Sequence, residues 1–233
     1  MLDLSSVTLI CAASVVVPET IKSFERCKAV ANFGAVKLLT DVDTDYEHAI
    51  KIPRLNTHVE YSLFCLYRLH EFVDTRHMLI AQHDSWIINP QTWDPSWLNY
   101  SFIGPLFIHQ HKICNLSVGT GGFSLRDKDF MAHASTLGPR WDHSDPESTR
   151  VVQERLGNYE DGAVSFLFRG QLEAKGFTYA PPNEAAKFAQ GGNTDKDYWV
   201  ERPFGFHGFW PNINHDTGVV SPFAPRHDSW GHI

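Results

Sequence analysis

The feature that most constrains this chain is an apolar strand pattern that recurs with amphipathic helices between its copies. Val7 to Ala13 is a continuous β-type run. Pro18-Glu19 then opens a helical stretch in which Ile21, Phe24, Cys27, Val30 and Ala31 recur at spacings of three and four. Gly34 is read as the end of that helix, Ala35 to Thr40 as a second strand, and Asp41, Asp43 and Asp45 as the loop at its carboxyl end. A second helical pattern, Val59 to Phe72, leads to the strand Met78 to Ala81. Strands joined through helices make right-handed crossovers and a parallel sheet, so an α/β fold is expected.

At 233 residues, 42% hydrophobic and 20% charged, the chain suits one globular domain with a substantial core. A net charge of -7, with no Lys/Arg run, excludes a nucleic-acid surface built on a basic patch. No apolar run approaches the roughly 18 residues of a membrane span. The apolar start, Met1 to Ala13, lacks a basic region and carries an acid at Asp3, so it reads as a buried strand rather than a signal peptide. Cys11, Cys27, Cys65 and Cys114 form no C-x-x-C pair, and the first three fall within apolar patterns. Free thiols of this kind suit a reducing, cytoplasmic setting.

Ligands of open α/β sheets bind outside the carboxyl ends of the strands, which is where Gln82-His83-Asp84 falls. Carboxylate and amide oxygens there suit Mg²⁺ or Mn²⁺, although an Asp that caps the following turn fits the same spacing. His207 stands in Phe204-Gly205-Phe206-His207-Gly208, either as a metal-ligating imidazole or as a hydrogen-bonded core residue. Glu160-Asp161 opens a helix read as Glu160 to Lys175. A carboxylate at such a start is a candidate general base or an ordinary N-terminal acid. Gly119-Thr120-Gly121-Gly122 lets main chain approach a phosphate or sugar, or forms a plain tight turn, and it is neither a P-loop nor a Rossmann fingerprint. His109 and His111 lack further ligands at zinc-site spacing and read as a surface loop. Beyond these, Lys128 to Thr136 reads as a helix, Phe177 to Tyr179 as a short strand, and the chain from Gly191 onward as loop apart from the aromatic block.

Taken together, Tyr61-Ser62, Gln82-His83-Asp84, Asn89-Pro90, Gly121 to Arg126, Glu160-Asp161 and Phe204 to Gly208 resemble an uncharacterised glycosyltransferase-like domain family, similar to GT-A nucleotide-sugar transferases. The resemblance covers roughly residues 7 to 210. It implies a single GT-A-like domain with a Rossmann-like, mixed but mostly parallel sheet flanked by helices. Residues 1–90 would form the nucleotide-binding half, 91–210 the acceptor and sugar half, and 211–233 a tail. The implied activity is inverting, metal-assisted transfer of a sugar from a nucleotide-diphosphate donor to a glycan or glycoconjugate hydroxyl.

The implied roles fall on particular residues. Asp84 and His207 would hold Mn²⁺ or Mg²⁺, with Gln82 standing where such enzymes carry the first Asp of an Asp-x-Asp. Asp161, or Glu160 as the second choice, would act as base. Ala12, Ala13, Thr40, Asp41, Gln82, His83, Gly121, Gly122 and Phe123 would line the donor, and Trp93 and Trp97 would face the acceptor side. Retaining chemistry stays open, because stereochemistry depends on where the acceptor sits. Two other classes also fit: a metal-dependent hydrolase using Asp84, His207 and the His109/His111 pair, and a catalytically inactive carbohydrate-binding or nucleotide-sugar-binding module.

Overall fold

The apolar start of the chain becomes β1 (Leu2–Ala12), the strand on which the rest of the sheet is laid. Its second half is buried without alternation, as in a parallel strand covered on both faces. The structure is a computed structural model and describes residues 1–107, 117–191, 198–208, 213–214 and 218–220. His109, His111, Cys114 and most of the 211–233 tail lie outside the described residues.

After β1 the chain enters α1 (Val17–Val30), with Pro18 in its first turn, where a missing N–H costs no helix bond. The next strand, β2 (Ala31–Thr40), follows directly and pairs parallel to β1. This corrects the reading of Gly34 as a helix stop, because Gly34 lies inside the strand beside a register shift between Leu4 and Thr8. A Cβ on Gly34 would stand 2.2 Å from the Ser5 carbonyl oxygen, so the two strands approach there only because the side chain is absent.

The short β3 (Ala49–Lys51) pairs parallel to β2. Then α2 (His58–Tyr67) starts at Thr57, whose hydroxyl accepts the Glu60 N–H at 3.1 Å. A 3₁₀ turn, Leu69–Phe72, carries the chain to β4 (His77–Ala81), which is fully buried and pairs parallel to β1. Beyond it lie two short strands, β5 (Phe102–Ile103) and β6 (Leu106–Phe107); β6 pairs antiparallel with β7 (Ser117–Val118). The glycine turn then leads into β8 (Phe123–Asp127), antiparallel to both β4 and β5.

The sheet order is therefore β3-β2-β1-β4-β8-β5, a mixed, mostly parallel sheet flanked by helices. Chain direction away from β1 reverses between β2 and β4, so the carboxyl ends of these strands frame a switch-point crevice.

Asp127 caps α3 (Lys128–Ala134) by accepting the N–H groups of Asp129 and Phe130. The sequence reading did not anticipate α4 (Pro146–Leu156), although Asp145-Pro146 and Gly157 at φ 78° bracket it with ordinary start and stop chemistry. Its single buried residue, Val152, gives almost no apolar periodicity.

The helix read as Glu160 to Lys175 is broken into α5 (Glu160–Gly162), a π-helical segment Ala163–Leu167, and α6 (Arg169–Ala174). The Phe168 N–H bonds the Ala163 carbonyl five residues back. The Val164 carbonyl accepts the Tyr179 hydroxyl at 2.6 Å, a side-chain donor that supports the irregular turn. Phe177 to Tyr179, read as a short strand, forms no named strand; its β-pairing is an isolated bridge between Tyr179 and Phe102.

Finally α7 (Pro182–Phe188) leads to β9 (Ala189–Gly191), which pairs parallel with β10 (Gly205–His207), and β11 (Ile213–Asn214) pairs antiparallel with β12 (Val219–Val220). Among the described residues no helix is long and apolar enough to cross a membrane.

Candidate active site

Two backbone hydrogen bonds and one side-chain amide assemble the site at the end of β4. The Gln82 N–H donates to the Gly122 carbonyl at 2.9 Å, which lays the glycine turn along the strand end. The Gly208 N–H donates to the Asp84 carbonyl at 3.1 Å, bringing β10 against the same loop. Asn89 secures that arrangement by donating through its amide nitrogen to the carbonyls of Pro203 and Gly218, each at 2.8 Å. Residues more than a hundred positions apart are thereby brought into contact.

The result is a cleft of about 450 Å³ lined by residues that include Tyr61, Gln82, Gly121, Gly122, Asp161 and His207. A second cleft, about 500 Å³ at Met1, Leu2, Ala29, Val30, Pro90 and Gln91, contains no acidic, basic or imidazole side chain.

At one end of the first cleft, His207 Nε2 lies 3.1 Å from Gln82 Oε1 and 3.7 Å from Asp84 Oδ1. Asp84 Oδ1 is buried with no hydrogen-bond partner among the described residues. An uncompensated carboxylate oxygen in such a place is costly, and a cation facing it would offset the cost. Burial holds the His207 imidazole below its ordinary pKa against the opposing pull of Asp84, which keeps it in the neutral form that ligates metals. Carboxylate, imidazole and amide oxygen are the donor types that suit Mn²⁺-class cations. Among the described residues no cluster of three His, Cys, Asp or Glu side chains forms, so the third donor here is an amide. His83 lies beside Asp84, its Nδ1 3.9 Å from Oδ1.

Gly122 forms the floor under these donors. A Cβ there would stand 2.0 Å from His207 Nε2 and 2.6 Å from Gln82 Oε1. Gly122 must therefore be glycine for both groups to keep their places.

At the other end, Asp161 accepts the Gly121 N–H at 2.8 Å and the Gly162 N–H at 2.7 Å. Burial, reinforced by the charge of Glu160, pushes its carboxyl up to about 7 despite those donors. Glu160 also lines the cleft, but it is paired with Arg126. Its Oε1 accepts from Arg126 at 2.9 Å, and the Arg126 guanidinium is fully buried, also donating to Ser124 Oγ and facing the Phe102 ring at 4.9 Å. The two adjacent acids thus have different partners: Glu160 is paired with an arginine, and Asp161 is held by backbone donors.

The remaining sequence-predicted residues lie around this centre or away from it. Ala12 and Ala13 are buried at the end of β1, next to the loop in which Val16 takes a left-handed φ of 46°. For a β-branched residue that conformation costs on the order of 1–3 kcal/mol. Thr40 Oγ1 accepts the Val42 N–H, and Asp41 is held below the usual carboxylate range by Ser14 and Arg54. None of these four lines the cleft itself; they occupy the neighbouring strand ends. The Phe123 ring is fully buried against Phe188 and Phe204.

Trp97 corrects an expectation. It is 1% exposed, donates to Glu184 Oε2 at 3.0 Å, and packs with Trp93 and Phe204 in the core rather than facing an acceptor. The aromatic rim is instead formed by Tyr159, 59% exposed and edge-on to His58 at 4.9 Å, together with Phe166. Sequence reasoning missed these residues. Tyr159 precedes Glu160-Asp161, and that adjacency was the one available signal.

Two solved structures share this architecture. A glycosyltransferase involved in the glycosylation of the major capsid of PBCV-1 is 12% identical, with 86% of this chain and 91% of that one covered at a TM-score of 0.51. The galactosyltransferase LgtC, in complex with donor and acceptor sugar analogs, is 12% identical, with 91% and 88% covered at a TM-score of 0.50. At these identities the likeness concerns the fold, which is of the GT-A type. Comparison with curated proteins finds no match. The family model described as "Protein of unknown function (DUF5672)" matches residues 48–207, more than half of the sequence, and the chain belongs to that family.

Proposed function

We propose that the chain is a glycosyltransferase that moves a sugar from a nucleotide-diphosphate donor to a hydroxyl of a glycan or glycoconjugate, with inversion at the anomeric carbon. One observation carries this reading: His207 and Gln82, with Asp84 Oδ1 3.7 Å from His207 Nε2, and a carboxylate with its pKa raised to about 7 lie at the Gly121-Gly122 turn of one cleft.

Asp161 takes the proton of the acceptor hydroxyl as that oxygen bonds to the anomeric carbon. The bond from that carbon to the donor phosphate breaks with its electron pair leaving on the diphosphate. A base with a pKa near ambient pH suits this step, since it is both available and strong enough. Asp84, His207 and Gln82 Oε1 would hold Mn²⁺ or Mg²⁺, which supplies Lewis-acid stabilisation to the leaving diphosphate. The cleft's charge supports such an ion. Among the described lining residues there is no Lys or Arg, and the nearby Arg126 is committed to Glu160.

Ala12, Ala13, Thr40 and Asp41 would receive base and ribose at the neighbouring strand ends, with His83, Gly121, Gly122 and the backbone at Phe123 against the donor. Residues 1–90 and 91–210 then serve as the nucleotide and acceptor halves of one domain. Buried free thiols at Cys11, Cys27 and Cys65 fit a reducing, cytoplasmic setting.

Thermal melting against UDP-, GDP- and CMP-linked sugars, with and without Mn²⁺, tests the reading, because a ligand that binds only the folded state raises the melting temperature. At least one donor should stabilise the protein, and more strongly with Mn²⁺. No stabilisation by any donor would overturn the proposal.

A further inference from the structure

The Gln82 amide carries two unlike ends, and only one of them suits a cation. Its Nε2 donates to the Tyr61 hydroxyl at 2.6 Å, while its Oε1 faces His207 Nε2 at 3.1 Å. An amide can rotate by half a turn and exchange these ends, and its hydrogen-bond network decides which orientation persists. Tyr61 makes that decision here. Its hydroxyl oxygen accepts the amide NH₂ at 2.6 Å, and that contact leaves the amide oxygen on the His207 side.

We infer that Tyr61 is a positioning residue that locks the Gln82 carbonyl oxygen toward the cation position, making Gln82 a neutral ligand rather than a lost one. The inference rests on the metal-assisted reading above. Gly122 completes the lock, since its missing Cβ leaves room for Gln82 Oε1 and His207 Nε2 together. A carboxylate in place of the amide would need no such lock, because both its ends accept. This difference separates positioning from mere packing.

The test is Mn²⁺ affinity, measured by water-proton relaxation with Mn²⁺ alone as probe and melting temperatures recorded in parallel. Tyr61→Phe should weaken Mn²⁺ binding about tenfold, the lower end of the effect of losing an outer-shell partner. In the Gln82→Glu background the same substitution should change affinity less than twofold. Gln82→Met, which removes the amide oxygen without cutting the side chain short, should weaken binding at least as much as Tyr61→Phe and serves if that variant does not fold. Equal weakening by Tyr61→Phe in both backgrounds, or unchanged affinity in Gln82→Met, would overturn the inference while the glycosyltransferase reading stands. A wild-type protein that binds no Mn²⁺ would overturn both the inference and the metal-assisted part of the reading, and nucleotide-sugar binding would then be judged separately.

Discussion

Asp161 and Glu160 are chemically alike and adjacent in sequence, and their partners give them different tasks. Asp161→Asn should lower transfer by about 10²- to 10⁴-fold, the range for removing a general base, while donor affinity measured by calorimetry stays within threefold. Because the base works only when ionised, kcat/KM should rise about tenfold per pH unit below about 7 and level off above it. The same group has a folded pKa above the ordinary carboxylate value of 3.8, so the folded state binds the extra proton between the two values. Its contribution to stability is therefore greatest at low pH and is lost as pH rises through about 7. Gly122→Ala should abolish Mn²⁺ binding in relaxation measurements, since the new methyl group occupies the places of His207 Nε2 and Gln82 Oε1.

Some of this detail was legible in the sequence. Asp84 follows a strand end, and Asp161 opens a helix; both are local signals. The Arg126–Glu160 pair and the Tyr61–Gln82 contact join residues 34 and 21 positions apart, and no local pattern encodes them. Trp97 shows the converse: an aromatic in a Pro-rich loop reads as exposed, yet tertiary packing buries it.

The elements explain why these side chains meet. The first βαβ unit was readable because its strands end in largely apolar, buried runs and its helix has a clear face. The boundary at Gly34 was misread because a glycine after a helical pattern ordinarily marks its end, whereas here it admits the Ser5 carbonyl between paired strands. Gly34→Ala should therefore cost about 1–3 kcal/mol in urea unfolding, as for other overpacked sites, with donor affinity unchanged.

The break after Glu160-Asp161 was also invisible, since a π segment differs from an α-helix by one residue in its hydrogen bonding and hardly in its composition. Tyr179→Phe removes the hydroxyl that satisfies the Val164 carbonyl in that segment. Leaving a buried acceptor unpaired should cost about 1–3 kcal/mol in the same urea experiment. It should also reduce transfer, because the π segment follows the proposed base directly.

Over the whole molecule, a mostly parallel sheet places the ends of β1, β2 and β4 on one side, and the late strand β10 returns His207 to that side from the far end of the sequence. The alternation of strands and helices announced the sheet, and the resemblance anticipated its GT-A character. The antiparallel insertion of β8 beside β4 has no signature in strand length or composition.

The central claim is that this assembled cleft breaks the bond between a sugar and a nucleoside diphosphate with the help of a cation held by Asp84 and His207. Water can replace an unknown acceptor, so the direct measurement is nucleoside diphosphate released from a panel of nucleotide sugars with Mn²⁺ present. Wild-type protein should release it from at least one donor, and Asp84→Asn should reduce that release at least tenfold, the lower end of the loss for altered metal-site groups. No release from any donor, or equal release by Asp84→Asn, would contradict the account.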